Sequence, residues 1–351
     1  MGFDLASQRV SLLSLSRAYQ WRSDTVLIRT CFSLFIIQNQ NMNNIVEPGT
    51  AESSRLERFV HLLSCPRCLS TLDLAQTSLI CQQCQRVYPI LGGVPDFLSS
   101  GEGQCLADSL QGDAAQRMRE EYLLEEASST AGPKWDIKSV LPQIMLKYDA
   151  DFRNGPARKL FEGDGDPLVL NVGGGPNRET PKEITLNISN FNNVDLVADA
   201  HHIPFADNSF DGVYSLAVLE HVTSPHEVVA EMIRVLKPGG YLYSEVPFMF
   251  FFHGYPSDYT RVTQEGMKLM FSGLEDVEVG MSHGPVSAVL QSANMVVPML
   301  LPASMPVIRR LGAGLFRLLF FPLKYLDLLL RDHPDAHTVA GGFYVVGRKP
   351  T

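Results

Sequence analysis

The stretch that decides the fold opens with Pro167-Leu-Val-Leu-Asn-Val-Gly-Gly-Gly-Pro176, a short apolar run that ends in three glycines. It continues to the helix-like Val228-Val-Ala-Glu-Met-Ile-Arg-Val-Leu236 and to Lys237-Pro-Gly-Gly240, which precedes another apolar run. Strand, glycine turn, helix and strand is the order of elements in a doubly wound parallel sheet, which binds ligands beyond the carboxyl ends of its strands. Residues 166–248 therefore predict an α/β domain with a nucleotide-type pocket.

This helix is expected over residues 225–237. Further strands are expected on both sides of it, because short apolar runs rich in Val, Ile and Leu alternate with turns. The expected strands are residues 168–172, 183–189, 194–200, a segment ending at Ser215, 240–246 and, at the C-terminus, 341–349. The glycines after the first strand let the backbone approach a ligand closely, since no side chain intervenes.

Three sequence motifs narrow the interpretation. Pro204-Phe-x-Asp-x-Ser-Phe-Asp211, Leu219-Glu-His221 and Arg234-Val-Leu-Lys-Pro-Gly-Gly240 resemble the class I S-adenosylmethionine-dependent methyltransferases over residues 166–280. The resemblance implies a seven-stranded Rossmann-like methyltransferase sheet and S-adenosylmethionine as cofactor.

The resemblance also implies a set of cofactor-binding residues. Gly173 and Gly175 would face the methionine part, Asn187 the ribose and Asp199, beside Ala200, the adenine amino group. The full set is Asn171, Gly173, Gly175, Asn187, Asp199, Ala200, Ser215 and Leu216, with the last two below the sulfonium. Related proteins usually carry acids where this chain has Asn171 and Asn187, and a neutral amide makes weaker hydrogen bonds to hydroxyl groups than a carboxylate does. A non-catalytic scaffold is therefore an alternative to an enzyme.

Two pairs of cysteines precede this domain. Cys65-Pro-Arg-Cys68 and Cys81-Gln-Gln-Cys84 are separated by twelve residues, and four thiolates on two tight turns close a tetrahedron around structural Zn²⁺. With Tyr88-Pro-Ile90 and Gly93-Val-Pro-x-Phe97-Leu, this region resembles the zinc ribbon of the small activator subunit of tRNA and protein methyltransferases, over residues 58–98.

The segment Pro247-Phe-Met-Phe-Phe-Phe-His-Gly-Tyr-Pro-Ser-Asp-Tyr-Thr-Arg-Val-Thr263 would lie at the mouth of the pocket. His253 is the candidate general base, with Asp258 as its orienting partner. The alternative is that Asp258 pairs with Arg261 and that His253 caps a turn. The expected acceptor pocket comprises His221, Tyr255, Tyr259 and Arg261. The segment also resembles a branch of methyltransferases associated with glycan and cell-surface biosynthesis.

The C-terminal part is apolar. Residues 286–308 carry no charge but contain three prolines, so they make a poor membrane-spanning helix. Arg310, Arg317, Lys324 and Arg331 recur every seven residues and predict a basic stripe on a helix with a wide apolar face. Such a helix favours peripheral membrane contact through residues 309–331. The alternative is a lid over the acceptor pocket with the basic stripe in solvent.

The sequence divides into six expected segments. They are 1–54, an N-terminal extension; 55–100, the zinc ribbon; 101–165, a linker with helices at 114–127 and 137–152; 166–285, the methyltransferase core; 286–337, a helical insertion; and 338–351, the last strand. The extension, rich in arginine and serine, reads either as a transit peptide or as residues ahead of a translation start at Met42.

The net charge of −9 counts against nucleic acid as the main partner. We expect a cytoplasmic enzyme, in peripheral contact with the membrane, that methylates a small or lipid-linked acceptor such as a glycan hydroxyl. The alternatives are an RNA methyltransferase, because zinc ribbons accompany some of those enzymes, and the non-catalytic scaffold.

Overall fold

A computed structural model describes residues 52–99, 141–148, 152–162, 167–175, 178–180, 182–190, 193–254 and 257–351. Most of the expected N-terminal extension and the expected helix at 114–127 lie outside the described residues. The chain forms a four-stranded ribbon sheet and a seven-stranded sheet with helices. The predicted fold class, a methyltransferase-type sheet with a ribbon ahead of it and a helical C-terminal part, is confirmed.

The large sheet consists of β5 (Val169–Val172), β6 (Ile184–Asn187), β7 (Leu196–Val197), β8 (Phe210–Leu216), β9 (Leu236–Pro247), β10 (Glu275–His283) and β11 (Gly342–Arg348). Its strand order is β10-β11-β9-β8-β5-β6-β7. Strands β5 to β9 are parallel, whereas β11 runs antiparallel to both of its neighbours. The carboxyl ends of the five parallel strands therefore meet along one edge of the sheet.

Helix α2 (Pro225–Val235) packs on this sheet because its apolar residues recur at helical spacing. Val228, Val229, Met232 and Val235 are buried, and Pro225 occupies the first turn, where its missing N–H has no helical partner to lose. The expected helix extended to residue 237, but Leu236 already pairs with Phe210 as the start of β9. Pairing between strands therefore ends the helix two residues early.

Alternating residues of the strands form cores on the two faces of the sheet. Leu170 and Val213 join one core with α2 and α3 (Gln264–Met270), while Val169 and Tyr214 face a second core. A short 3-10 helix, Pro156–Phe161, covers that second face and buries Leu160 there. The period of two along each strand thus gives the sheet two buried faces.

The ribbon consists of α1 (Glu52–Glu57) and the strands β1 (Leu72–Leu74), β2 (Ser78–Cys81), β3 (Val87–Leu91) and β4 (Val94–Pro95). It lies against the outer edge of β7. Phe97 N donates to Val197 O at 2.8 Å, and Ser64 N donates to Pro204 O at 3.1 Å. Phe59 and Phe205 contact edge to face, so backbone pairing and an apolar core join the two sheets.

Residues 141–148 run extended, so the expected helix over 137–152 is wrong for this stretch. Lys147 bridges to His283 as in a β-ladder, and Tyr148 N donates to Ser282 O at 3.0 Å. The ammonium of Lys147 lies 2.9 Å from the buried carboxylate of Glu245. Pairing with the end of β10 therefore replaces the helical hydrogen bonds that the sequence pattern suggested.

The insertion between β10 and β11 is helical. It contains α4 (Pro285–Val296), α5 (Pro306–Phe320) and α6 (Asp327–Leu330), linked by the 3-10 helices Val297–Leu300 and Phe321–Leu326. Among the described residues, no helix is both long enough and apolar enough to cross a membrane.

Two cations of the predicted basic stripe, Arg317 and Lys324, pack against the protein, whereas Arg310 and Arg331 are exposed. Arg317 is only 3% exposed and donates to Pro142 O, and Lys324 donates to Gln143 O at 2.9 Å. Arg331 lies over the ring of Tyr148. The 3-10 helix at residues 321–326 ends α5. The three cations contact the 141–148 segment, two of them by donating to backbone carbonyls and the third by lying over an aromatic ring. The outward face of the insertion is therefore apolar.

We expect His283 to make stability fall at acid pH. Burial lowers its pKa to about 4, Lys147 adds to this lowering, and Glu245 opposes it. Below the ordinary histidine pKa of about 6.5, His283 binds a proton in the unfolded chain but stays neutral in the folded chain. The free energy of unfolding therefore decreases by about 3 kcal/mol between pH 6.5 and 4. Urea unfolding from pH 7.5 to 4.5 measures this slope.

The matched variants are His283→Gln, which should flatten the slope, and His226→Gln on the exposed side of α2, which should keep it. Protonation of the ribbon cysteines and of other shared groups at low pH affects all three proteins alike, so only the difference between them counts. Equal slopes for the two variants would contradict the assignment to His283.

Candidate functional site

The glycine turn after β5 has one closed side and one open side. Gly173 has a φ of +76°, and a Cβ there would lie 2.4 Å from Val218 Cγ2. A Cβ on Gly174 would lie 2.3 Å from Asn171 Nδ2. In contrast, a Cβ on Gly175 would have no atom within 4 Å. The turn is therefore closed toward the protein and leaves space above Gly175.

The side-chain amide of Asn171 is hydrogen-bonded to a buried carboxylate of the same chain. Its Nδ2 donates to Glu183 Oε1 at 2.9 Å, and the other oxygen of Glu183 accepts from Glu179 N at 2.7 Å. Burial raises the pKa of Glu183, against the hydrogen bonds that it accepts. Strand β5 carries Asn171 where related proteins usually have an acid. The carboxylate of Glu183, just before β6, lies beside it instead, because Thr185, two residues further on, pairs with Asn171 across the sheet.

Asn187 closes the glycine turn from the neighbouring strand. Its Nδ2 donates to Gly174 O at 2.9 Å, and its Oδ1 accepts from Ser189 N at 3.1 Å. Nδ2 and Oδ1 of Asn187 therefore each form one hydrogen bond within the chain, and each can form one more. The side chain stands at the carboxyl end of β6, beside the turn, as the sequence predicted.

Asp199 carries a buried oxygen without a partner. Its Oδ1 accepts from His201 N at 3.0 Å and lies 2.7 Å from His201 Nδ1, at the start of a short 3-10 helix that includes Ala200. Its Oδ2 is buried, since the residue is only 4% exposed, and has no hydrogen-bond partner among the residues that the structure describes. A buried carboxylate oxygen without a donor is costly. A ligand N–H would satisfy it.

Ser215 lies deeper than expected. It is fully buried, and its hydroxyl pairs with Ser244 Oγ at 2.9 Å on β9. Leu216 follows it at the end of β8, and Ala217 has a φ of +53°, a left-handed conformation that costs a non-glycine residue energy. Leu216 is therefore better placed than Ser215 to border a cavity at this edge.

On the acceptor side, three side chains converge. Glu220 Oε1 lies 3.3 Å from His253 Nε2 and 3.7 Å from His221 Nε2. The two imidazole rings meet edge to face, with centroids 5.0 Å apart, and Phe250 packs against His253. Both oxygens of Glu220 are buried and have no hydrogen-bond partner in the described part of the chain. Val218, two residues earlier, touches the glycine turn, which connects the two halves of the site.

Asp258 forms a clamp with Arg261. The guanidinium donates to both carboxylate oxygens, and the carboxylate also accepts from His253 N at 2.9 Å. Burial acts to raise the pKa of Asp258, but these hydrogen bonds hold it below its ordinary value. Asp258 Oδ2 is 3.5 Å from His253 Nδ1. Asp258 therefore fixes the loop that carries His253, as the alternative sequence interpretation described.

The other expected pocket residues are divided. His221 lies in the cluster, and burial lowers its pKa, against the nearby Glu220. Tyr259 is exposed and donates its backbone N–H to Glu220 O at 2.7 Å. Tyr255 lies outside the described residues.

The four cysteines of the ribbon face one another. Their sulfurs all lie within 4.8 Å, with Cys65 Sγ 3.7 Å from Cys84 Sγ and Cys68 Sγ 3.5 Å from Cys81 Sγ. Zn–S bonds of about 2.3 Å place sulfurs of a tetrahedron about 3.8 Å apart. These residues fit a structural zinc ion, with all four protein positions filled by thiolates.

Two family models match the chain. Residues 179–244 match a model described as a methyltransferase domain, and residues 57–93 match one described as Trm112p-like protein. The resemblances drawn from the sequence are thereby confirmed: the chain carries a methyltransferase domain, and ahead of it a Trm112p-like segment.

Similar proteins share the central part. The ubiquinone/menaquinone biosynthesis C-methyltransferase UbiE of Pseudomonas fluorescens is 36% identical over 139 residues, which cover 39% of this chain and 50% of that protein. UbiE of Saccharophagus degradans is 38% identical over 127 residues, covering 36% and 47%. The chain thus spans about half the length of these relatives. A solved complex of the Haloferax volcanii Trm112 activator with a methyltransferase is 17% identical, covers 58% of this chain and 92% of that one, and has a TM-score of 0.33.

Two acidic residues of the site, Glu220 and Glu183, were not among the site residues predicted from the sequence. Glu220 stands inside the Leu-Glu-His motif, and its position directly after the apolar stretch from Leu216 to Leu219 was a usable signal. Glu183 opens the second strand and had no comparable signal, because only the pairing of β5 with β6 brings it to Asn171.

We expect loss of zinc to destabilise the methyltransferase domain as well as the ribbon. Zinc binding supplies much of the folding free energy of small zinc domains, so Cys68→Ser should lower Tm by about 10 °C or more. Elemental analysis and thermal unfolding measure both changes. Arg67→Ala, an exposed change between two ligands, is the control. A Cys68→Ser protein that keeps its zinc and its Tm would disprove the assignment.

Proposed function

We propose that the protein transfers a methyl group from S-adenosylmethionine to an oxygen of a small or lipid-linked acceptor. The observation that carries the proposal is the buried Oδ2 of Asp199, which has no hydrogen-bond partner among the described residues and lies within the stretch that matches a methyltransferase domain. The glycine turn after β5, with open space at Gly175, precedes this stretch. An adenine amino group is a donor of the kind that Asp199 Oδ2 lacks.

The cofactor would extend across the carboxyl ends of four strands. Its methionine part would lie over Gly173 and Gly175, its ribose at Asn187 and its adenine at Asp199 and Ala200. Asn171 would act through Glu183 rather than by direct contact, since its amide already donates there. Ser215 would support the floor from below, and Leu216 would border the sulfonium.

The acceptor would lie beside Glu220, His221 and His253. Methyl transfer is an in-line displacement, so the protein mainly orients the two reactants. When the acceptor is a hydroxyl, a base must also take its proton, and His253 is the proposed base. The carboxylate nearest to its Nε2 is Glu220, while Asp258 and Arg261 hold its loop and Tyr259 borders the opening.

The insertion supports contact with a lipid surface, where a lipid-linked acceptor would lie. Residues 284–326 contain four basic residues and no acidic one, although the whole chain has a net charge of −9. Along α5, Val307, Leu311, Leu315 and Leu318 recur on one face and are each at least half exposed. An exposed apolar face with a local positive charge fits an anionic lipid surface. We therefore include peripheral membrane contact, through the apolar face and not through a basic stripe.

Calorimetric titration with S-adenosylmethionine tests the cofactor site. Gly175→Ala adds a methyl group that meets no protein atom, so Tm should stay unchanged. Affinity should fall roughly tenfold, because overpacking a filled site costs about 1–3 kcal/mol. Gly273→Ala, where the new methyl group has only ordinary contacts, is the control and should keep full affinity. A wild-type protein that does not bind the cofactor at millimolar concentration would support the scaffold alternative.

Co-sedimentation with anionic vesicles tests the surface. Leu319→Glu on α5 should reduce binding about tenfold, since burial of a leucine side chain contributes about 1.5–3 kcal/mol. Leu269→Glu on α3 is the matched control, because that leucine is 70% exposed against 63% for Leu319. Equal binding by the two variants would exclude this face as the contact.

A labelled-methyl screen over cell fractions identifies the acceptor class. Label in the lipid or glycolipid fraction supports the proposal. Label in RNA would establish the RNA methyltransferase alternative and overturn the lipid-linked acceptor.

A further inference from the structure

The buried carboxylate of Glu220 lies beside two histidines. The Nδ1 of His221 lies 2.5 Å from Ser257 O, and a carbonyl can only accept, so that nitrogen carries the proton. In the neutral ring Nε2 then carries a lone pair, and this atom lies 3.7 Å from Glu220 Oε1.

His253 is held in the same way. Its Nδ1 lies 3.3 Å from Phe251 O and 3.5 Å from Asp258 Oδ2, and both are acceptors. Arg261 Nη2 also lies 3.4 Å from this nitrogen, and it donates to Asp258 Oδ2 and to Phe251 O. With its proton on Nδ1, shared with these acceptors, His253 would carry a lone pair on Nε2, which lies 3.3 Å from Glu220 Oε1.

The Nε2 atoms of both histidines thus lie within 3.7 Å of Glu220 Oε1. Glu220 is fully buried, and neither of its carboxylate oxygens has a hydrogen-bond partner among the described residues. A buried negative charge without a compensating cation is strongly unfavourable. The candidate ligand atoms all lie within 4.8 Å of one another. Bonds of about 2.0–2.2 Å to a common ion would place such ligands about 3.0–3.5 Å apart, close to the distances found.

We infer that Glu220, His221 and His253 bind a divalent transition-metal ion, at a site separate from the zinc ribbon. Two imidazoles and one carboxylate suit such ions and leave coordination positions open. The backbone carbonyls on both Nδ1 atoms, with Asp258 beside one of them, orient the rings as outer partners of metal-bound histidines do. Both histidines keep a small exposed surface, which gives an ion and an acceptor oxygen access.

This inference rests on the proposed function only for what fills the open positions, namely an oxygen of the methyl acceptor. A bound ion would orient that oxygen and favour its ionised form. His253 cannot be a metal ligand through Nε2 and a general base through the same atom. Metal binding therefore decides between the two roles.

The test uses the full-length protein and Co²⁺, after the ribbon has been loaded with zinc. We expect one equivalent of Co²⁺ to bind and to give visible d–d bands without the near-ultraviolet thiolate charge-transfer bands of a cysteine site. Glu220→Gln and His253→Ala should each weaken this binding by more than about a hundredfold, beyond the effect of losing an outer partner. Exposed His226→Ala should leave it unchanged.

Zinc content and Tm show whether each variant is folded. If Glu220→Gln does not fold, the test still rests on His253→Ala, because His253 lies at the partly exposed edge of the cluster. The inference is overturned if wild-type protein takes up no second metal, or if the folded variants bind it as tightly. Titration with S-adenosylmethionine in parallel keeps the outcomes distinct. Cofactor binding without the second metal would leave the proposed function intact, and metal binding without the cofactor would leave the metal site intact.

Discussion

The backbone pairing between the ribbon and β7 is the contact on which the cofactor side of the site depends. β7 contributes two residues to the end of the sheet, and an uncovered edge strand exposes unpaired N–H and C=O groups. The ribbon covers this edge through Phe97 and Val197 and continues along the loop at Pro204. Asp199 lies between these two contacts, so its position is set from both sides. Because the ribbon belongs to the same chain, this contact forms without a bimolecular association step.

On the acceptor side, the ordering principle is charge. The Asp258–Arg261 clamp is satisfied within itself, and its role is to hold the His253 loop against β8 and the turn that follows it. Glu220 is different, because it has no neutralising partner other than the two imidazoles. The chemistry of the site depends on which cation balances that carboxylate, a proton on histidine or a metal ion. Each choice gives His253 a different part in methyl transfer.

The insertion shows how tertiary packing reverses a surface that a helical repeat suggests. Arg317 and Lys324 turn inward to carbonyls of the extended 141–148 segment, because those carbonyls have no strand partners there. The same segment delivers Lys147 to Glu245 at the end of β9. With its cations engaged, the insertion presents leucines outward. Attraction to a lipid surface would therefore depend mainly on apolar burial, although Arg310 and Arg331 of the predicted stripe are exposed.

The sequence by itself determined the order of β5 to β8, α2, β9 and the last strand, the glycine turn and the two cysteine pairs that fit zinc, since each depends on local spacing. Asp199 and Asn187 were also placed correctly at strand ends, because parallel strands bring their carboxyl ends together. Only the tertiary structure decided that Glu183 pairs with Asn171, that Glu220 faces two histidines and that Arg317 is buried. These outcomes depend on which strands become neighbours and on which side of a helix meets the core, and neither is encoded in local periodicity.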